Sequence, residues 1–243
     1  MTKLRIGYEL IPHPPYSPDL APAKHASNLH VDSILCLPEL YFKPTTPKEL
    51  IEYLEIVGRA APNILLYIYM YMYRVINIMY KHFVVHMGQF LESIGDKIPS
   101  FVGIKFTSNN LEEGAHALHA DNGKFVIFLG NDQLMDAASV VGFDSFIVTT
   151  LNIFPEHIQQ LLTVYKNGDI LKARDMQEKL TSAVIAIMKH GNWVQSMKTA
   201  MTLLTDFNIG LPREPLKPIS SDAVAIMTKE LTNLGYQPKV KHY

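Results

Sequence analysis

Cysteine is nearly absent. Cys36 is the only one in 243 residues, so no intramolecular disulfide can form, and a thiol within an apolar run reads as a small core residue of a reducing compartment. Charge of one sign is missing too. With 22 basic against 23 acidic side chains, the chain lacks the electrostatic attraction on which nucleic-acid and anionic-membrane binders depend. No Asn-x-Ser/Thr acceptor occurs, and Met1 is not followed by the apolar run of a secretory signal. These absences predict a cytosolic protein that acts on small molecules, with no nucleic-acid and no membrane partner. An apolar content of 48% suffices for one large core or two smaller ones.

From Val31 to Pro218, strand-like apolar runs alternate with helical segments, as in an α/β protein built on a parallel sheet. The expected strands are Val31 to Leu37, Ile64 to about Tyr71, Phe101 to Thr107, Phe125 to Leu129 and Ser145 to Thr150. Their apolar residues run on without alternation, which predicts cover on both faces. A helix should open at Thr46, with Pro47 in its first position, Glu49 completing a capping box, and Leu50, Leu54 and Val57 on one buried face. Met176, Leu180, Val184 and Ile187 predict a second helix between about Ala173 and His190, ended by Gly191. A third should follow from roughly Val194 to Asp206.

Two stretches break this rhythm. Five prolines between Pro12 and Pro22 predict an extended or disordered arm over residues 1 to 24. Tyr67 to Tyr73 alternates Tyr with Ile and Met, and with the residues up to His86 it reads as a low-complexity insertion translated from AT-repeat DNA. Arg74 and the short length of the run argue against a transmembrane span. The domain expectation is therefore an arm over 1 to 24 and one α/β domain over 25 to 243, interrupted at about 67 to 86.

Lys105 stands among apolar neighbours in the strand Phe-Val-Gly-Ile-Lys-Phe-Thr. An ordinary lysine amine (pKa ~10.4) is charged at neutral pH, and ~4.6 kcal/mol against the charged form is needed to leave half of it neutral and nucleophilic. Desolvation in a closed apolar site can supply that amount. The competing reading is a strand-end lysine that carries its charge out to water. His116 and His119 share a polar helix with no third ligand nearby, so they read as solvated rather than metal-binding. Trp193, beside Gly191 and Asn192, reads as packing at a helix start.

Several of these segments resemble, in order and at matching spacing, the N-acetylneuraminate lyase branch of the pyruvate-dependent, dihydrodipicolinate synthase-like class I aldolases. Residues 31 to 44 resemble the fourth strand and its loop, Asp96 to Thr107 the sixth strand with its lysine, and Phe125 to Gln133 the seventh. Lys198 to Leu216, with Met201-Thr-Leu and Gly210-Leu-Pro-Arg-Glu-Pro-Leu, resembles the C-terminal helix and its exit. The resemblance implies an incomplete (β/α)8 TIM barrel that retains about strands 4 to 8 plus the C-terminal helices. It implies cleavage of N-acetylneuraminate to N-acetylmannosamine and pyruvate through a Schiff base on Lys105, with no cofactor, in a homotetramer. Tyr69 aligns with the family's proton-relaying tyrosine. Thr107, Gly130, Asp132 and Gln133 align with sugar-contacting positions, and Thr149 with a serine near the eighth strand.

The sequence also departs from the family. Gly-Thr-Thr-Gly-Glu, the loop that holds the pyruvate carboxylate, does not occur, and nothing corresponds to strands one to three. Met70-Tyr71-Met72 replaces His-Ile-Pro, Gln133 a Glu and Val148 a Gly. His13-Pro-Pro-Tyr-Ser-Pro-Asp-Leu-Ala-Pro22 resembles instead a segment of mariner-type transposases. These departures open an alternative: a catalytically inactive fragment that acts only as an interaction partner of an intact lyase.

Overall fold

The computed structural model describes residues 20–38, 44–71 and 85–239. Most of the proline-rich arm and most of the Tyr/Met insertion lie outside them. The arm's last residues are described and are helical: α1 spans Leu20–Asn28. Pro22 is tolerated there because the first turn of a helix has no intrahelical partner for its backbone N–H.

The elements then alternate as β1 (Ser33–Cys36), α2 (Pro47–Ala60), β2 (Leu65–Tyr71), α3 (Met87–Ile94), β3 (Phe101–Thr107), α4 (Leu111–His119), β4 (Val126–Leu129), α5 (Met135–Val141) and β5 (Ser145–Phe146). Four helices complete the described chain: α6 (Pro155–Lys166), α7 (Ile170–Met188), α8 (Trp193–Leu204) and α9 (Ser221–Asn233). The strands form one sheet in the order β1-β2-β3-β4-β5. Pairing is parallel where β1 meets β2, with Ser33 opposite Leu65, and where β4 meets β5, with Phe128 opposite Ser145. All five expected strands are present. The last stops early: β5 ends at Phe146, and Thr149–Asn152 forms a 3-10 turn.

The chain divides into two compact units, one of residues 1–105 and 116–126, the other of residues 106–115 and 127–243. In the first unit, Leu50, Leu54 and Val57 of α2 are buried together with Leu66 and Ile68 of β2, and Phe90, Leu91 and Ile94 of α3 add to this core. Phe101 meets Phe90 edge-on at 5.7 Å and Phe125 at 5.5 Å. Gly103 is required here by close approach, since a Cβ on it would lie 2.0 Å from the carbonyl oxygen of Val126. In the second unit, Leu180, Val184 and Ile187 of α7 pack with Ile158 of α6, Met197 and Ala200 of α8, and Met227 and Leu231 of α9.

The start of α2 follows the sequence with one difference. Thr46 is the N-cap, and its hydroxyl accepts from the Glu49 amide at 3.2 Å. The Glu49 carboxylate, however, closes back on Thr45, accepting from its amide at 2.7 Å and its hydroxyl at 2.9 Å. The reciprocal capping box appears instead at α8, between Asn192 and Gln195.

Cover on both faces of the sheet is not what the structure has. Leu66 and Ile68 are buried at 2% and 0%, whereas Leu65 on the opposite face of β2 is 46% exposed and Leu35, two residues past its partner Ser33, is 45% exposed. Side chains alternate across a strand, so these leucines share one face, left open among the described residues, with half-buried Tyr67 and Tyr69. Cys36 is half-buried rather than sealed in the core.

Candidate functional site

Lys105 and Thr107 of β3 share a face and are half-buried, while Ile104 and Phe106 on the other face are 0% and 2% exposed. The strand therefore aims Lys105 at the face that the helices leave open. There its Nζ stands over the ring of Tyr69, 4.1 Å from the centroid. Both residues lie in the first unit, so the lysine singled out in the sequence and the tyrosine implied by the family resemblance are brought together by neighbouring strands of the sheet. The negative face of an aromatic ring attracts an ammonium, so the contact is of the cation–π kind.

The remaining candidates gather in the second unit at the C-terminal ends of strands. Thr107 is the last residue of β3, and among the described residues its hydroxyl is buried without a hydrogen-bond partner. Gly130 follows β4, and its amide donates to the carbonyl of Phe106 at 2.9 Å. Asp132 is 6% exposed, and its Oδ1 accepts from the amide of Thr150 at 2.6 Å, tying the loop after β4 to the turn after β5. Gln133 is exposed beside it. Thr149, at the start of that turn, accepts through Oγ1 from the indole Nε1 of Trp193 at 3.3 Å. Trp193 thus does more than start α8; it reaches a candidate site residue.

Gln177 of α7 carried no signal in the sequence beyond its place on a helix. It is 4% exposed, and its amide is fully satisfied. Nε2 donates to the carbonyl of Asp132 at 3.1 Å and to Thr181 Oγ1 at 3.3 Å, while Oε1 accepts from the amides of Met135 at 3.1 Å and Asp136 at 3.3 Å. Those amides open α5, whose N-cap is Leu134, a residue with no side-chain acceptor. A leucine at an N-cap hints that an outside group satisfies the helix start, but its identity, 42 residues on, is not legible from local pattern.

Among the described residues, no group of three or more His, Cys, Asp or Glu is placed to hold a metal ion. His116 engages Glu92 at 2.7 Å and packs 5.1 Å from the ring of His86. Among the same residues, no helix is long and apolar enough to cross a membrane.

The parallel α/β sheet agrees with the comparison with known proteins. The Dihydrodipicolinate synthetase family profile matches residues 19–234. The chain belongs to the dihydrodipicolinate synthetase family. Within the family it is similar to mouse (Mus musculus) N-acetylneuraminate lyase, 27% identical over 222 residues that make up 90% of this chain and 68% of that protein. It is also similar to 4-hydroxy-tetrahydrodipicolinate synthase of Thermoanaerobacter sp. (strain X514), 28% identical over 213 residues that make up 88% of this chain and 68% of that protein. Among solved structures it resembles the N-acetylneuraminate lyase (sialic acid aldolase) of Aliivibrio salmonicida. The TM-score is 0.79 at 27% identity, covering 92% of this chain and 71% of that one. The chain spans about two thirds of the length of the curated relatives it matches.

Proposed function

We propose that this family member is an N-acetylneuraminate lyase-like Schiff-base aldolase whose nucleophile is Lys105. The observation that carries this reading is the placement of the Lys105 amine against Tyr69 on the open face of the sheet. Resemblance to lyases of several organisms supports the substrate.

In the proposed reaction, the Lys105 amine passes a proton to the keto oxygen of N-acetylneuraminate, leaves the ring and adds to the keto carbon. Loss of water gives an iminium ion. Tyr69 relays the proton from the C4 hydroxyl; the oxygen becomes the aldehyde of N-acetylmannosamine, the C3–C4 bond breaks, and its electron pair flows into the iminium to form an enamine. The enamine carbon takes up the proton that Tyr69 carried from the C4 hydroxyl, and hydrolysis of the resulting iminium releases pyruvate and restores the amine. Thr107, Gly130, Asp132, Gln133 and Thr149 are assigned to the hydroxylated portion of the substrate. The assembly is a cytosolic homo-oligomer, a tetramer as the family resemblance implies.

The test is trapping. Purified chain is incubated with pyruvate and borohydride, and the expected product is one reduced pyruvate adduct on Lys105. A folded preparation that stays unlabelled would falsify the enzyme reading. Because a synthase that takes pyruvate would label too, release of N-acetylmannosamine from N-acetylneuraminate decides between substrates.

Leu35 and Leu65, both about half exposed on one sheet face, favour a second reading, the inactive fragment that binds an intact lyase. Co-sedimentation of unlabelled chain with an intact lyase is its expected outcome.

A further inference from the structure

We propose that Gln177 is the positioning residue for the hydroxylated half of the site, acting through Asp132 on the turn that bears Thr149. This deepens, and rests on, the aldolase reading above.

The loop from Asn131 to Leu134 has no regular structure to hold it, yet it carries two of the proposed substrate contacts. One side chain from α7 grips it at both ends. The Gln177 amide nitrogen holds the carbonyl of Asp132, and its oxygen takes the amides of Met135 and Asp136 that open α5. With its backbone fixed, the Asp132 carboxylate meets the amide of Thr150 at 2.6 Å, and Thr150 is covalently next to Thr149. The relay runs from Gln177 to the Asp132 backbone, then from the Asp132 carboxylate to Thr150 and the turn beginning at Thr149. Every group in it is buried or half-buried, where a bond lost is not replaced cheaply by water. Asp132, the nearest candidate contact, therefore has a direction that α7 sets.

Lys105 and Tyr69 have no place in this relay. Removing the Gln177 amide should loosen the sugar-facing groups and leave pyruvate capture intact. Gln177→Met fills a similar volume without the hydrogen bonds. In that variant the Thr150 amide should exchange with solvent ~10-fold faster or more, and the KM for N-acetylneuraminate should rise ~10-fold, while the pyruvate concentration that half-saturates borohydride labelling changes less than ~2-fold. Asp132→Ala should reproduce the faster Thr150 exchange, and the double variant should add nothing to it, as for two members of one relay.

A Thr150 amide as protected in Gln177→Met as in the wild type overturns the proposal. So does an equal change in KM and pyruvate half-saturation, which marks general loosening. If Gln177→Met does not fold, Gln177→Leu takes its place, and failure of both to fold assigns Gln177 to the core and overturns the proposal as well. A wild-type chain that never labels overturns the aldolase reading instead, and the Thr150 exchange still decides whether Gln177 positions Asp132.

Discussion

Lys105 Nζ stands over the face of the Tyr69 ring, 4.1 Å from its centroid, so one tyrosine offers two separable functions to the lysine. The ring attracts the ammonium, and the hydroxyl can move a proton. Tyr69→Phe keeps the first and removes the second. Pyruvate labelling of Lys105 should persist in that variant, while cleavage of N-acetylneuraminate falls by ~10²- to 10⁴-fold, the range of a lost general acid–base group. Equal loss of both activities would assign Tyr69 to holding the lysine in place.

Gly103 tests how closely β3 and β4 must approach. A Cβ there would meet backbone, the Val126 carbonyl oxygen at 2.0 Å, which no rotamer change can relieve. Gly103→Ala should cost ~1–3 kcal/mol or more as overpacking, lowering Tm by roughly 2–12 °C at this chain length. Thermal unfolding followed by circular dichroism measures it, and a Tm unchanged within error would contradict the close approach.

Asp96 Oδ1 and Lys124 Nζ lie 2.6 Å apart at the surface. The hydrogen bond from Lys124, and then its charge, hold the Asp96 carboxyl below its ordinary 3.8, while the bond to Asp96 raises the ammonium above its ordinary 10.5. A depressed acid stabilises above its unfolded value and loses that stability as pH falls through the folded one. A raised ammonium stabilises below its unfolded value and loses it as pH rises through the folded one. The pair therefore contributes fully between about pH 4 and pH 10. Asp96→Asn should lower Tm slightly within that window, less in high salt, with the two melting curves converging in acid. A gap that persists after Asp96 is protonated would trace to something other than charge.

Leu35 and Leu65 test the open face. Each is close to half exposed, so replacing both by Ser should cost ~2 kcal/mol and lower Tm by roughly 4–8 °C, less than for two fully buried leucines. Light scattering during concentration should fall clearly relative to the wild type. Unchanged self-association would place the sticky surface elsewhere.

The apolar runs between Val31 and Phe146 determined five strands, because short runs rich in β-branched and aromatic residues, bounded by helical and turn segments, favour the extended conformation. The helices at Pro47, Ile170 and Trp193 were legible for an equally local reason, since capping residues and a 3.6-residue period lie within one window. Lys105 was visible because a charge among apolar strand residues stands out. Its partner ring depended on strand pairing and, in the sequence, on a family likeness.

Gln177 was not legible at all. Its bonds to Asp132 and to the start of α5 span more than forty residues, and its neighbours on α7 show only an amphipathic helix. The exposure of Leu35 and Leu65 was likewise decided in three dimensions, since a continuous apolar strand reads the same whether one face or both are covered. Local spacing determines which elements form and which face of each is apolar. Only the tertiary structure decides which of those faces find a cover, and which distant side chain satisfies a buried loop, because both depend on contacts between segments that the sequence keeps far apart.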